Sequence, residues 1–169
     1  MIQTAQQIVP VVDPRGGPPE SEVTLTVTGL PPLQTIRIGF GSLSQYGVLG
    51  GGESDGDGNL TLKLKVPEWA ERDRVHYWVV SPGNRLPRAF SKPFHVTSSD
   101  GTARILGTIS AEGSVCLALD GPENIQYTLL GDLAGWSPGQ RVLVIGTVAD
   151  DAACDGQGVP IAVRQIQLF

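Results

Sequence analysis

Apolar and polar residues alternate with a period of two along much of this chain. In Val23-Thr24-Leu25-Thr26-Val27 the aliphatic residues fall on one side and the threonines on the other. Leu60-Thr61-Leu62-Lys63-Leu64-Lys65-Val66 repeats the scheme with lysines on the wet side, as half-buried strands do. Val75-His76-Tyr77-Trp78-Val79-Val80 is partly covered on both sides, which suits a central strand. Up to residue 98 the pattern predicts strands over 7–12, 22–28, 35–40, 45–49 (the weakest), 60–66, 74–81 and 91–97. From Ala103 onward five further runs follow with short polar breaks: RILGTIS, SVCLALD, IQYTLLG, QRVLVIGTVA and IAVRQIQLF. No window keeps an apolar repeat at helical spacing, so very little helix is expected.

The breaks have their own chemistry. Asp13-Pro14-Arg15-Gly16-Gly17-Pro18-Pro19 carries three prolines that lack donors, and is expected to be a loop at one end of the molecule. Asp55-Gly56-Asp57-Gly58-Asn59 holds Asp-Gly twice, a tight-turn signal. Pro67–Ala70 reads as a proline-started helical turn, and Asp132–Gln140 leaves room for one helical turn. Gly50-Gly51-Gly52 and Gly39-Phe40-Gly41 open no helix and precede no GK[ST]. They are expected to be flexible connections, not phosphate loops. Ser98–Thr102 is a short polar break. It divides the chain into residues 1–98 and 99–169, and its shortness should restrict how the two parts swing. Seven short runs match an immunoglobulin-like β-sandwich, and five match an OB-type barrel. The expected fold is therefore all-β: a sandwich followed by a small five-stranded barrel.

Composition sharpens the functional classes. Apolar residues make up 40% and charged residues 17%, which supports packed cores and argues against disorder. Residues 1–99 balance nine basic against nine acidic side chains, whereas residues 100–169 set Arg104, Arg141 and Arg164 against eight acids and carry the whole net charge of -5. A barrel that grips nucleic acid needs cations to displace phosphate counterions, so nucleic acid is not an expected partner. No apolar stretch is long enough for a membrane span. The N-terminal MIQTAQQIVPVV has neither a basic n-region nor a long apolar h-region, so no signal peptide is visible.

Cys116 and Cys154, the only cysteines, show no CxxC and have no histidine nearby, so neither a redox pair nor a metal site has its spacing. The expectation is a disulfide tying the second barrel run to the loop before the fifth. On the chain-entropy model it stabilises by about 4 kcal/mol. Disulfides persist in oxidising compartments, which points to a chain whose leader has been removed and which sits in the periplasm, outside the cell or at its surface. Two buried thiols in a cytoplasmic protein remain the alternative.

Other candidates carry weaker chemistry. Asp55, Asp57 and Asn59 place oxygens at positions 1, 3 and 5 of a calcium loop, with Glu53 nearby. The glycine at position 6 is replaced by Leu60 and the glutamate at position 12 by Val66, so a plain hairpin is expected. Asp150, Asp151 and Asp155 surround Cys154 in the loop between the last two barrel runs, one of the loops OB folds use for ligands. Tyr127 on the third barrel run and Trp136 in a turn are candidate stacking surfaces. Trp69 lies in a similar turn, and Trp78 reads as the core tryptophan of the sandwich. His76 and His95 sit beside aromatics without an evident Ser, Asp or Cys partner, and no GxSxG elbow occurs. Arg72, Arg74, Arg85, Arg88 and Lys92 form the one basic concentration.

The Pro14–Pro19 loop before VTLTVTG, the following GLPP, the DGDGNLTLKLKVP hairpin and the closing SKPFHVT resemble bacterial Ig-like domains of the TIG type. GTIS, CLAL, YTLLGDLAGW, SPGQRVLVIGTVA and Cys154 resemble a small bacterial OB-like family of uncharacterised function found in exported proteins. These resemblances imply the two folds and an exported setting; neither supplies an activity. The expected function is a non-catalytic exported or cell-surface module that binds a protein or glycan partner through barrel loops 110–114 and 150–158 and Trp136. No cofactor is expected. A self-assembling subunit of a fibre or surface layer, and an accessory subunit of a larger enzyme or secretion complex, are the alternatives.

Overall fold

The computed structural model describes residues 7–83, 88–110, 116–149 and 158–169. It is all-β, with a sandwich followed by a closed five-stranded barrel.

In the sandwich, strands β1 (Val9–Asp13), β3 (Glu22–Thr28) and β6 (Leu60–Lys65) form one sheet in the order β1-β3-β6. The second sheet runs β2 (Gly16–Gly17), β9 (Phe94–Val96), β7 (Arg74–Ser81), β4 (Thr35–Gly41), β5 (Tyr46–Glu53), with β8 (Ala89–Phe90) also on β7. Alternation explains the core. Val23, Leu25 and Val27 point inward from β3, and Ile36, Ile38, Phe40, Trp78, Val80 and Phe94 meet them from the facing sheet. Phe40, Trp78 and Phe94 pack edge to face, with centroids 4.7–6.1 Å apart, the arrangement that the ring quadrupoles favour.

Three expectations are corrected here. The proline-rich segment at 13–19 is not wholly loop: after a cis Asp13–Pro14 peptide the chain crosses from one sheet to the other, and Gly16–Gly17 pairs in parallel with His95–Val96. The prolines flank the pairing residues and so cost the ladder no donor. Gly50–Gly52 is strand, not a flexible connection. A Cβ at Gly51 would lie 2.1 Å from the Ile36 carbonyl oxygen, so glycine is what lets β5 approach β4. The run over 91–97 is strand only at Phe94–Val96, and Pro93 just before it cannot donate.

The barrel comprises β10 (Thr102–Ser110), β11 (Leu117–Asp120), β12 (Gln126–Leu130), β13 (Arg141–Val148) and β14 (Val159–Leu168), closed in the order β10-β11-β12-β14-β13. β10 is long enough to pair with β13 over 102–108 and with β11 over 108–110, and β12 runs parallel to β14. Ala103, Ile105, Ile109, Leu119, Leu129, Val142, Val144 and Ile161 fill the interior. The only helical turn among the described residues is the 3-10 turn Pro122–Asn124. The segment 132–140, which has room for one helical turn, is turns alone.

Candidate functional site

Sandwich and barrel meet along a buried seam. Arg15, 5% exposed, donates from Nη1 to the Gly158 carbonyl and from Nη2 to the Pro93 carbonyl, each at 3.1 Å. One guanidinium thereby bridges the two units through its rigid fork of donors. His95 Nδ1 lies 3.0 Å from the Tyr127 hydroxyl, both residues being buried. Val75 and Tyr77 of β7 pack against the barrel core. Gly16 makes the close approach possible, since a Cβ there would come within 2.5 Å of Val148 Cγ2 and 2.6 Å of the His95 carbonyl oxygen. Burial drives the His95 imidazole down to about 4, with Asp73 pulling up and His76 pushing down more weakly. Burial raises the Tyr127 phenol, so both groups stay neutral near pH 7.

Beside the seam opens a cleft of about 600 Å³, within the range of small-ligand sites. The end of β4 and the start of β5 supply Phe40, Gln45 and Tyr46, the 67–70 turn supplies Trp69, β7 supplies Arg74 and His76, and the barrel supplies Glu123. Trp69 is 54% exposed and rests edge-on against Phe40, centroids 5.8 Å apart. Phe40 also stacks on the His76 ring at 4.9 Å with only 8° between planes. His76 is 8% exposed, and its Nδ1 makes no hydrogen bond of good geometry with the described residues. Burial lowers its basicity, partly offset by the Arg74 carbonyl and the Glu71 charge. Arg74 bonds Glu71 of its own turn and, at 3.3 Å, Glu123 of the barrel. The Arg74 hydrogen bond holds the Glu71 carboxyl below the usual carboxylate range, and Glu71 in turn raises Arg74. Tyr46 is fixed from outside by Arg88, which bonds its hydroxyl and lies 5.4 Å from its ring centroid.

A second concavity of about 330 Å³ lies between β1 and the β8–β9 segment and is mainly apolar. Ser91 Oγ accepts from Trp78 N and donates to the Lys92 carbonyl, and the Arg15 guanidinium is spent on carbonyls. Of the two, the larger cleft is the one that combines exposed charges with this buried nitrogen of His76.

Tyr127, singled out in the sequence, is 2% exposed and belongs to the barrel core and the seam. This corrects its reading as a stacking surface, because no face of the ring is left for a ligand. Trp136 is half-buried against the barrel core. Asp150, Asp151, Asp155 and Cys154 lie outside the described residues, as does Arg85. Asp55 Oδ1 accepts from the backbone of Asp57 and Asn59, both at 2.9 Å, which makes 55–59 a self-capped hairpin turn. Among the described residues no group of three His, Cys, Asp or Glu could hold a metal ion, and no helix is long and apolar enough to cross a membrane. Cys116 opens the segment before β11.

A general acid must stay protonated near neutral pH, and Glu71 is shifted the other way. His95 pairs with Tyr127, and among the described residues its Nε2 has no partner. No family model, curated protein or solved structure matches the chain.

Proposed function

We propose that this protein is a non-catalytic, exported or cell-surface binding module whose sandwich (1–98) and barrel (99–169) together present a cleft to a protein or glycan partner. The observation that carries the reading is the cleft itself. An open tryptophan, a buried histidine nitrogen and a three-member charged rim converge from both units. Such convergence of a few polar groups on an aromatic wall is what ligand sites show.

Export enters through the cysteines. A Cys116–Cys154 disulfide is part of the proposal. It is supported by Cys116 and Cys154 being the only two cysteines in the sequence, without the spacing of a redox pair or a metal site. Thiol titration of the denatured, non-reduced protein tests this arm: no reactive thiol is expected, and two would place the chain in a reducing compartment.

A thermal-shift panel of glycans and candidate protein ligands tests the binding role. A partner at a hundred times its dissociation constant adds about 2.7 kcal/mol, a shift of several degrees for units this size. Turnover of any glycan by the purified chain would contradict the non-catalytic reading.

Self-assembly is a second reading, favoured by β5. From Tyr46 to Gly52 this edge strand carries no charge, and it exposes Val48 at 62% and Leu49 at 36%. β6, by contrast, places Lys63 and Lys65 on its edge and β1 carries Pro10, both devices that discourage edge pairing. Light scattering that rises with concentration would support this reading.

A further inference from the structure

The cleft's own chemistry narrows the partner class, on the premise that the binding role proposed for it holds. We propose that the cleft binds a neutral saccharide, with one sugar ring on the open face of Trp69 and a polar substituent of that ring reaching His76 Nδ1.

Three observations converge. Trp69 is 54% exposed, yet its position is fixed by Phe40, and the site a Gly47 Cβ would occupy lies 3.5 Å from its ring. A flat apolar surface of this kind, rimmed by charged hydrogen-bonding groups, complements a molecule with C–H bonds on one face and hydroxyls around its edge. A pyranose is such a molecule.

Charge then selects among saccharides. Arg74 lies between Glu71 and Glu123, so its single positive charge is outweighed by two carboxylates. Uronates, sulfated sugars and phosphates would meet two carboxylates while Arg74 is already paired with both and Arg88 is held on the Tyr46 hydroxyl, and like-charge juxtaposition opposes them. Hydroxyls suffer no such penalty and can donate to either carboxylate.

His76 supplies the third. Its Nδ1 is buried and makes no hydrogen bond of good geometry with the described residues, while the ring is clamped against Phe40. A buried polar atom left unpaired is costly, so a ligand group that satisfies it gains affinity. Kept neutral by burial, the imidazole suits a hydroxyl or an acetamido group better than an anion.

The test is titration of the full chain, followed by tryptophan emission and by calorimetry. The probes are cello-, chito- and malto-oligosaccharides and, at equal ring count, oligogalacturonate. At least one neutral series should bind saturably, and oligogalacturonate about tenfold or more weakly. Trp69→Ala should weaken the neutral ligand by about tenfold or more. Glu123→Gln, on the surface and safe for folding, should narrow the gap between neutral and acidic ligands. Oligogalacturonate binding more tightly than any neutral series, or Trp69→Ala leaving neutral affinity unchanged, overturns this inference while the wider role as a glycan-binding module survives. Failure of every saccharide to bind removes this inference and the glycan arm together, and leaves only a protein partner.

Discussion

The junction between sandwich and barrel has a dry side and a wet side. On the dry side Arg15 donates to Gly158 across the junction and to Pro93 within the sandwich, and His95 Nδ1 meets the Tyr127 hydroxyl across it, at 3.0–3.1 Å. On the wet side Arg74, Glu71 and Glu123 also cross between the units, but the Arg74 and Glu123 side chains are each 56% exposed. Exposed pairs of this kind contribute little to stability, whereas buried charge-assisted bonds are costly to break. The dry side is therefore the part that holds the two units together, and the wet side can exchange its partners at little cost in stability. Strand β7 serves both, with Val75 and Tyr77 turned to the barrel core and His76 facing the cleft.

The largest expected effect comes from breaking the dry side. Arg15→Ala leaves the Gly158 and Pro93 carbonyls without their charged donor and should cost about 3 kcal/mol or more in denaturant unfolding. Lysine at this position should recover only part of the loss, because it lacks the fork that reaches both carbonyls.

Acid should loosen the same seam without a mutation. His95 titrates at about 4 in the folded protein against 6.5 ordinarily, so the unfolded chain takes up its proton first. Stability is then complete above pH 6.5 and declines as pH falls from 6.5 to 4, by about 3 kcal/mol in all. His76, also lowered by burial, acts in the same direction. Urea midpoints measured between pH 7.5 and 4.5 should show this slope, and His95→Gln should flatten it.

A smaller loss, about 1–2 kcal/mol, is expected for Tyr127→Phe, which leaves His95 Nδ1 unpaired in a dry place. Smallest of all is Glu71→Gln on the wet side, with no resolvable change in the urea midpoint and a measurable change in ligand affinity. If Glu71→Gln destabilised as much as Arg15→Ala, the division between a holding side and a binding side would fail.

Strands with one dry face were legible in the sequence. β3 and β7 fall on residues 22–28 and 74–81, the ranges expected from alternation, because a period of two is strong when one face is buried. β2 was not legible. It is two glycines among prolines, and only the tertiary approach of His95 and Val148 makes it a strand. The cleft was hidden for another reason. Its members come from segments near 40–47, 69–76 and 123, and no local pattern links them. The one signal was Trp69, a large aromatic in a short turn. Tyr127 misled because its alternation marks a barrel strand but does not reveal that its hydroxyl has a partner 32 positions away.

One measurement addresses the cleft most directly: amide and indole chemical-shift mapping of the labelled full chain during titration with a neutral oligosaccharide. The predicted perturbations cover Tyr46, the Trp69 indole and His76 in the sandwich together with Glu123 in the barrel. Perturbations confined to the barrel residues at 110–116 and 149–158, with Trp69 and His76 unmoved, would contradict it and return recognition to the barrel loops.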